Sequence, residues 1–398
     1  MNELELEELN SAIARYLPDR QLITFSTGMV ILPKEKNGAR GFANVRQISY
    51  FFHEWMHYLH NISTLHGVNA FVALAELWSA FRWTTDSLGI SSGNICHASP
   101  ELFQVEPLMQ ILAAARKSMA VQLPASAAPD NVTATSFVEH GALEDGGATH
   151  LNISVLIANE AGEQTGASIA LGPGEILESV AFLLEKRFLA RLAQQQVDQP
   201  RVVPYHVLTI FARYFAPSLT EEDVLLCGLA SLQSTSPAPD LLVILKECES
   251  VEPDSDKRRR YLTNRVIKQM KMRESQYRAS LDRLDAMFPY SKSMGRAVNE
   301  TVAYMRRNLE MRKLRPFFEL DFIDDMYSAG AHGFHALMDR LMANHGICAG
   351  RQEHIGSVDE IGRDLLFDFA VVAQDTELNE ARRVMQASFD FCFQTFFT

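Results

Sequence analysis

The stretch NVRQISYFFHEWMHYLHNIS, residues 44–63, decides how the rest of the chain is read. Asn44 and Gln47, three positions apart, form a capping-box pair of the kind that opens a helix. At about 100° per residue, Ile48, Phe51, Phe52, Trp55, Met56, Leu59 and Ile62 fall on one apolar stripe, the face that such a helix buries. His53, His57 and His60 form a polar strip beside it, with Glu54 at its far edge. Residues four apart share a helix face, so His53 and His57 can reach one metal ion while Glu54 reaches a water beside it. The positions in and around the motif (Phe51, Phe52, Trp55, Met56, Tyr58, Leu59) are all uncharged, so the helix can be buried with its histidines facing a cleft.

Working outward, residues 4–16 read as a short amphipathic helix and 21–32 as a strand-like run. The motif helix is expected to stop before Gly67, with a second helix from residue 68 to about 87 folding back as an antiparallel hairpin. A helix over 100–123 and an Ala/Ser/Gly/Asp-rich loop over 125–147 follow. Strands over 150–158 and 167–171 then lead through Pro173–Gly174 into a long helix, 175–195. Beyond it the chain reads as helical: 204–216, 221–232, 241–249, 256–288, 292–312, 319–344, 358–374 and 379–397. The expectation is an α+β protein, mainly helical, with a catalytic domain over 1–250 that holds a small sheet, and a helical domain over 251–398.

Composition fits a soluble globular protein, with 47% hydrophobic and 22% charged residues among 398. Intrinsic disorder is excluded by the same figures, since 24 Phe supply ample surface to bury. The acidic start MNELELEELN is unlike a signal peptide, and the most apolar stretch, 68–83, is interrupted by Glu76 and Arg82, so no membrane span is expected. Cys96, Cys227, Cys248, Cys348 and Cys392 are odd in number and scattered, which points to a reducing cytoplasm rather than a disulfide framework.

The motif His53-Glu54-Trp55-Met56-His57 in its apolar surroundings resembles the active-site helix of the zincin metallopeptidases. The resemblance implies a bound Zn2+ ion, held by His53 and His57, with Glu54 as general base and a protein or peptide as substrate. A third ligand is then needed. The metzincin pattern fails, because His60 stands where glycine is required and Ser63 where the third histidine belongs. His60 itself lies about 10 Å along the helix from His53, too far to share the ion. A glutamate on another helix, as in gluzincins, remains. Glu178, in Glu178-Ser179-Val180-Ala181, resembles the family's third-ligand signature, and Ala181 on its face allows a close helix approach. Glu185, seven residues on, shares that face and can orient His53 or His57 through the second ring nitrogen. Glu76, 19 residues after His57, is the competing ligand, and Glu175 a third possibility. Tyr205, His206, His332 and His335 are candidates for stabilising an oxyanion.

Three functions stand open on this reading: a zinc endopeptidase, a metal-dependent hydrolase of a non-peptide amide, and a non-catalytic adaptor on the same scaffold. Charge adds one expectation. The net charge of −12 divides into +12 over residues 257–315 and −24 elsewhere, so the basic segment is a candidate contact for an acidic protein, with nucleic acid disfavoured.

Overall fold

The computed structural model describes residues 14–18, 21–26, 29, 42, 44–80, 107–109, 111–112, 123–124, 126–140, 150–159, 161–192, 200–352, 363–364 and 376–397. The protein is mainly helical with two small sheets. The expected helices over 100–123 and 358–374 and Cys96 lie largely or wholly outside the described residues, as does most of 4–16.

The motif helix, α1 (Val45–Ser63), begins where its capping residue predicts: the Asn44 side chain accepts a hydrogen bond from the Gln47 amide at 3.0 Å. Its seven-residue apolar stripe is buried throughout, each large side chain contributing roughly 1.5–3 kcal/mol. Thr64 ends it, turning its amide and its hydroxyl onto the His60 carbonyl. The same hydroxyl accepts from the Gly67 amide and so caps the next helix, α2 (Leu65–Ala80). One residue thus replaces the longer connection expected around Gly67. Gly67 lies inside α2, where a Cβ would fall 2.3 Å from the Asn61 carbonyl oxygen, so only glycine permits the approach.

The first sheet has the order β1 (Ala14–Leu17), β2 (Leu22–Phe25), β6 (Ala349–Gln352), β7 (Arg363–Asp364), with β2 and β6 parallel and the outer pairs antiparallel. It corrects two expectations. Residues 14–16 are strand rather than the end of a helix, and 363–364 are strand rather than helix. In both, antiparallel pairing with a neighbouring strand, β2 for 14–16 and β6 for 363–364, outweighs local helix propensity. The second sheet is the meander β3 (Val132–His140), β4 (His150–Ala158), β5 (Gln164–Leu171). β3 replaces the expected loop over 125–147 in part. A register shift between Ala134 and Ser136 breaks the two-residue alternation by which a strand is recognised.

The remaining helices are α3 (Pro173–Leu192), α4 (Val202–Tyr205), α5 (Val207–Phe215), α6 (Glu221–Ser231), α7 (Pro237–Glu249), α8 (Ser255–Met287), α9 (Ser293–Leu314), α10 (Phe318–His345) and α11 (Thr376–Phe397). α1 packs against α2, α3, α9 and β1, and α10 against α3, so helices from beyond residue 250 help to surround the motif helix. None of the helices is long and apolar enough to cross a membrane among the described residues. Cys227, Cys248, Cys348 and Cys392 are all free and buried.

A buried ionic group fixes α9 and α10 to the end of α1. Arg312 forms a bidentate pair with Glu319 (2.6 and 3.2 Å) and donates to the carbonyl and hydroxyl of Ser63 at 2.9 Å, all without solvent exposure. His60 completes the cluster, its Nε2 3.5 Å from Glu319 Oε1. Burial would raise the Glu319 carboxyl, but Arg312 and His60 outweigh it and hold its pKa at about 2, against an ordinary 4.5. A pKa depressed by folding gives stability that is present above about pH 4.5 and is lost as pH falls towards 2. Much of the basic segment is likewise paired internally, as in Arg258 with Asp223, Arg265 with Asp240 and Glu247, and Arg306 with Asp282 and Asp285. Substituting Arg312→Met should destabilise the fold by about 3–5 kcal/mol, since it strands a buried carboxylate. Urea unfolding at pH 7 measures the loss, and the same titration at pH 3 should show a smaller difference between variant and wild type.

Candidate metal centre

The site is assembled from two helices that are far apart in sequence. Phe52 of α1 stacks on Phe188 of α3, with ring centroids 4.6 Å apart, and Ala181 is fully buried where the two helices approach. This brings the His53–His57 face of α1 against the Glu178–Glu185 face of α3. His53 Nε2 lies 3.3 Å from Glu178 Oε2, His57 Nε2 lies 3.4 Å from the same oxygen, and the two Nε2 atoms are 3.2 Å apart. A tetrahedral zinc ion with bonds of about 2.0–2.1 Å requires its ligand atoms to stand about 3.3 Å from one another. The three donors therefore stand at a spacing from which they could hold one metal ion, and zinc fits it. Among the described residues this is the one group of three or more such side chains that can hold an ion.

The donor set also has the right chemistry, with two imidazoles and one carboxylate and a fourth direction left for water or substrate. Glu185 Oε2 sits 3.0 Å from His53 Nδ1, which directs the other nitrogen, Nε2, into the triad. Burial opposes the charged form of His53, but hydrogen bonds to Glu178 and Glu185 carry its pKa well above the usual value. Burial would likewise raise the Glu178 carboxyl, yet the two imidazoles hold it far below the usual carboxylate range. Three carboxylates, Glu54, Glu178 and Glu185, thus converge on two imidazoles, and the cluster favours positive charge at its centre. Exposure is graded, from 8% for the His53 side chain to 34% for Glu178.

The alternative ligands are placed elsewhere. Glu76 pairs with Arg283 of α8 at 2.9 Å. Glu175 is buried at the start of α3 and accepts from the Gly172 amide at 2.8 Å, a capping role. His60 is enclosed beside Glu319 rather than lining a cleft. Comparison with known proteins brings no relative: no family model, curated protein or solved structure matches the chain.

Of the oxyanion candidates, Tyr205 reaches the site. Its ring stands edge-on to His53 with centroids 5.9 Å apart. Burial, with Glu178, Glu54 and Glu185 nearby, raises the phenol's pKa, so it stays a neutral donor. The Ser179 hydroxyl, next to Glu178, donates to the Pro204 carbonyl at 2.9 Å and ties α4, which ends at Tyr205, to α3. His206 packs on Phe182 instead, and the side chains of His332 and His335 lie outside the described set.

The sequence reading missed Tyr16. Its backbone amide donates to Glu54 Oε2 at 2.5 Å, a contact that the expected helix over 4–16 would not produce.

If these residues form a zinc site, the purified protein should bind one zinc ion per chain, and His53→Ala with His57→Ala should abolish it. Glu185→Gln should weaken affinity roughly 10–100-fold without changing the stoichiometry at saturation, and Glu76→Gln should leave it unaltered. Competition titration against a chelator reads all of these.

Proposed function

We propose that the chain is a zinc-dependent peptidase, an endopeptidase that hydrolyses peptide bonds of a protein or peptide substrate. The observation that carries the reading is the convergence of His53, His57 and Glu178 at zinc-ligand spacing, beside a glutamate that directly follows the first histidine. The resemblance of the α1 motif to the zincin active-site helix supports a peptide as the substrate over another amide.

His53, His57 and Glu178 would hold the ion, which when bound supplies Lewis acidity towards a carbonyl and lowers the pKa of a water near it. Glu54 takes the proton of that attacking water and passes it to the leaving amine. Burial raises the Glu54 pKa while both histidines and the Tyr16 amide oppose that rise. A carboxyl so balanced can both accept and release a proton. Tyr205, neutral and next to His53, donates to the oxygen on which negative charge develops. Glu185 keeps the His53 ring in its ligating orientation.

A partner for the basic segment is part of the same proposal. Arg260, Lys268 and Lys271 on α8 are exposed, with no ion pair among the described residues, and they suit an acidic protein.

The decisive variant is Glu54→Gln, which keeps the shape of the side chain and removes its basicity. It should retain zinc and lower kcat on a peptide-library digest by roughly 10²–10⁴-fold. Equal cleavage by the variant and the wild type would overturn the reading. Cellular function that survives this substitution would instead favour the non-catalytic adaptor.

A further inference from the structure

The geometry points to the backbone amide of Tyr16 as the group that positions Glu54. This rests on the reading of Glu54 as general base, and it makes the N-terminal strand β1 part of the reaction apparatus.

Three contacts place the strand. The Tyr16 N–H donates to Glu54 Oε2 at 2.5 Å. The Tyr16 ring stands edge-on to Tyr58 with centroids 6.1 Å apart, and the Tyr16 hydroxyl accepts from Asn61 Nδ2 at 3.0 Å. Glu54, Tyr58 and Asn61 are spaced i, i+4 and i+7, so they form one face of α1, next to the face that carries His53 and His57. The strand is therefore seated along the motif helix by backbone, ring and hydroxyl together.

The amide contact has a specific consequence. A free carboxylate beside a metal ion rotates and can turn an oxygen towards the ion itself. A charge-assisted hydrogen bond to one oxygen restricts that rotation. Oε2 is held by Tyr16, and Oε1 makes no hydrogen bond to any described residue, which leaves it to take the proton of the attacking water.

Strand topology makes the idea testable at a backbone atom. Among the described residues β1 stands at the edge of its sheet and pairs with β2, Tyr16 opposite Ile23. The Tyr16 N–H points away from β2, towards Glu54. Proline is tolerated on an edge strand at a position whose N–H faces outward, so Tyr16→Pro deletes this donor without deleting a bond of the β1–β2 ladder. Tyr16→Ala removes the same ring and hydroxyl but keeps the amide, and serves as the reference.

With zinc content equal in both, Tyr16→Pro should have a kcat about 10–100-fold below that of Tyr16→Ala, with KM within about twofold. Equal kcat in the two variants overturns the proposal. A second measurement needs no catalysis. In the wild-type 15N–1H spectrum the Tyr16 amide proton should resonate far downfield, and Glu54→Gln should move it upfield. An amide unmoved by that substitution overturns the proposal even if Tyr16→Pro fails to fold. A wild type that cleaves no peptide counts against the peptidase reading, while the amide shift still decides the contact.

Discussion

The packing of α1 on α3 is the constraint on which the rest of the structure depends. Glu178 follows His57 by 121 residues, yet its carboxylate oxygen must lie within 3.4 Å of two imidazole nitrogens. Only a rigid contact between the two helices can hold such a tolerance, and it comes from ordinary apolar packing. The Phe52–Phe188 stack and the small Ala181 set the helix separation, and the seven-residue stripe of α1 locks its rotation. Rotating α1 by one residue, about 100°, would bring an apolar residue into the triad and a histidine into the core. The chemistry of the site and the hydrophobic effect therefore select the same register.

Electrostatics then has to tolerate what the packing brings together. Two imidazoles and three carboxylates in a poorly hydrated cleft repel or attract one another by more than surface charges do. The shifts of His53 and Glu178 in opposite directions show that the cluster accepts positive charge at its centre. The far end of α1 follows the same rule, since Arg312 and Glu319 are both fully buried and satisfy one another, Arg312 also donating to Ser63 and Glu319 also lying beside His60. Such a pair adds little net stability over an apolar substitute, but it permits only one geometry. It fixes where α1 stops, and through Ser63 it ties the motif helix to α9 and α10.

The motif helix was legible because three independent patterns coincide in residues 44–63: a capping pair, an apolar stripe and the paired histidines. The α3 site was legible for a related reason, as Glu178, Ala181 and Glu185 share a helix face that any 3.6-residue period reveals. Glu76 and Glu178 were separable only in three dimensions, because the one-residue turn at Thr64 and the docking of α8 decide which way α2 faces. Of the first sheet, β2 was legible within the strand-like run 21–32, but the pairing of the sheet was not. β2 pairs with β6 across more than 300 residues, and four-residue strands carry too little alternation to register. Tyr16 was lost with it, since its contribution is a backbone amide, which no side-chain pattern encodes.

Exposure differs from one side of the triad to the other. His53 is shielded by Glu185 and the ring of Tyr205, and the lower flank of α1 is covered by β1 at Glu54, Tyr58 and Asn61. Glu178 is the ligand open to solvent, at 34% of its side chain. On the proposed peptidase reading, a substrate carbonyl would reach the triad from the Glu178 side. Tyr205, tied to α3 through Ser179 and Pro204, stands beside the same opening, since its ring meets His53 and the Glu178 and Glu54 carboxylates both act on its phenol.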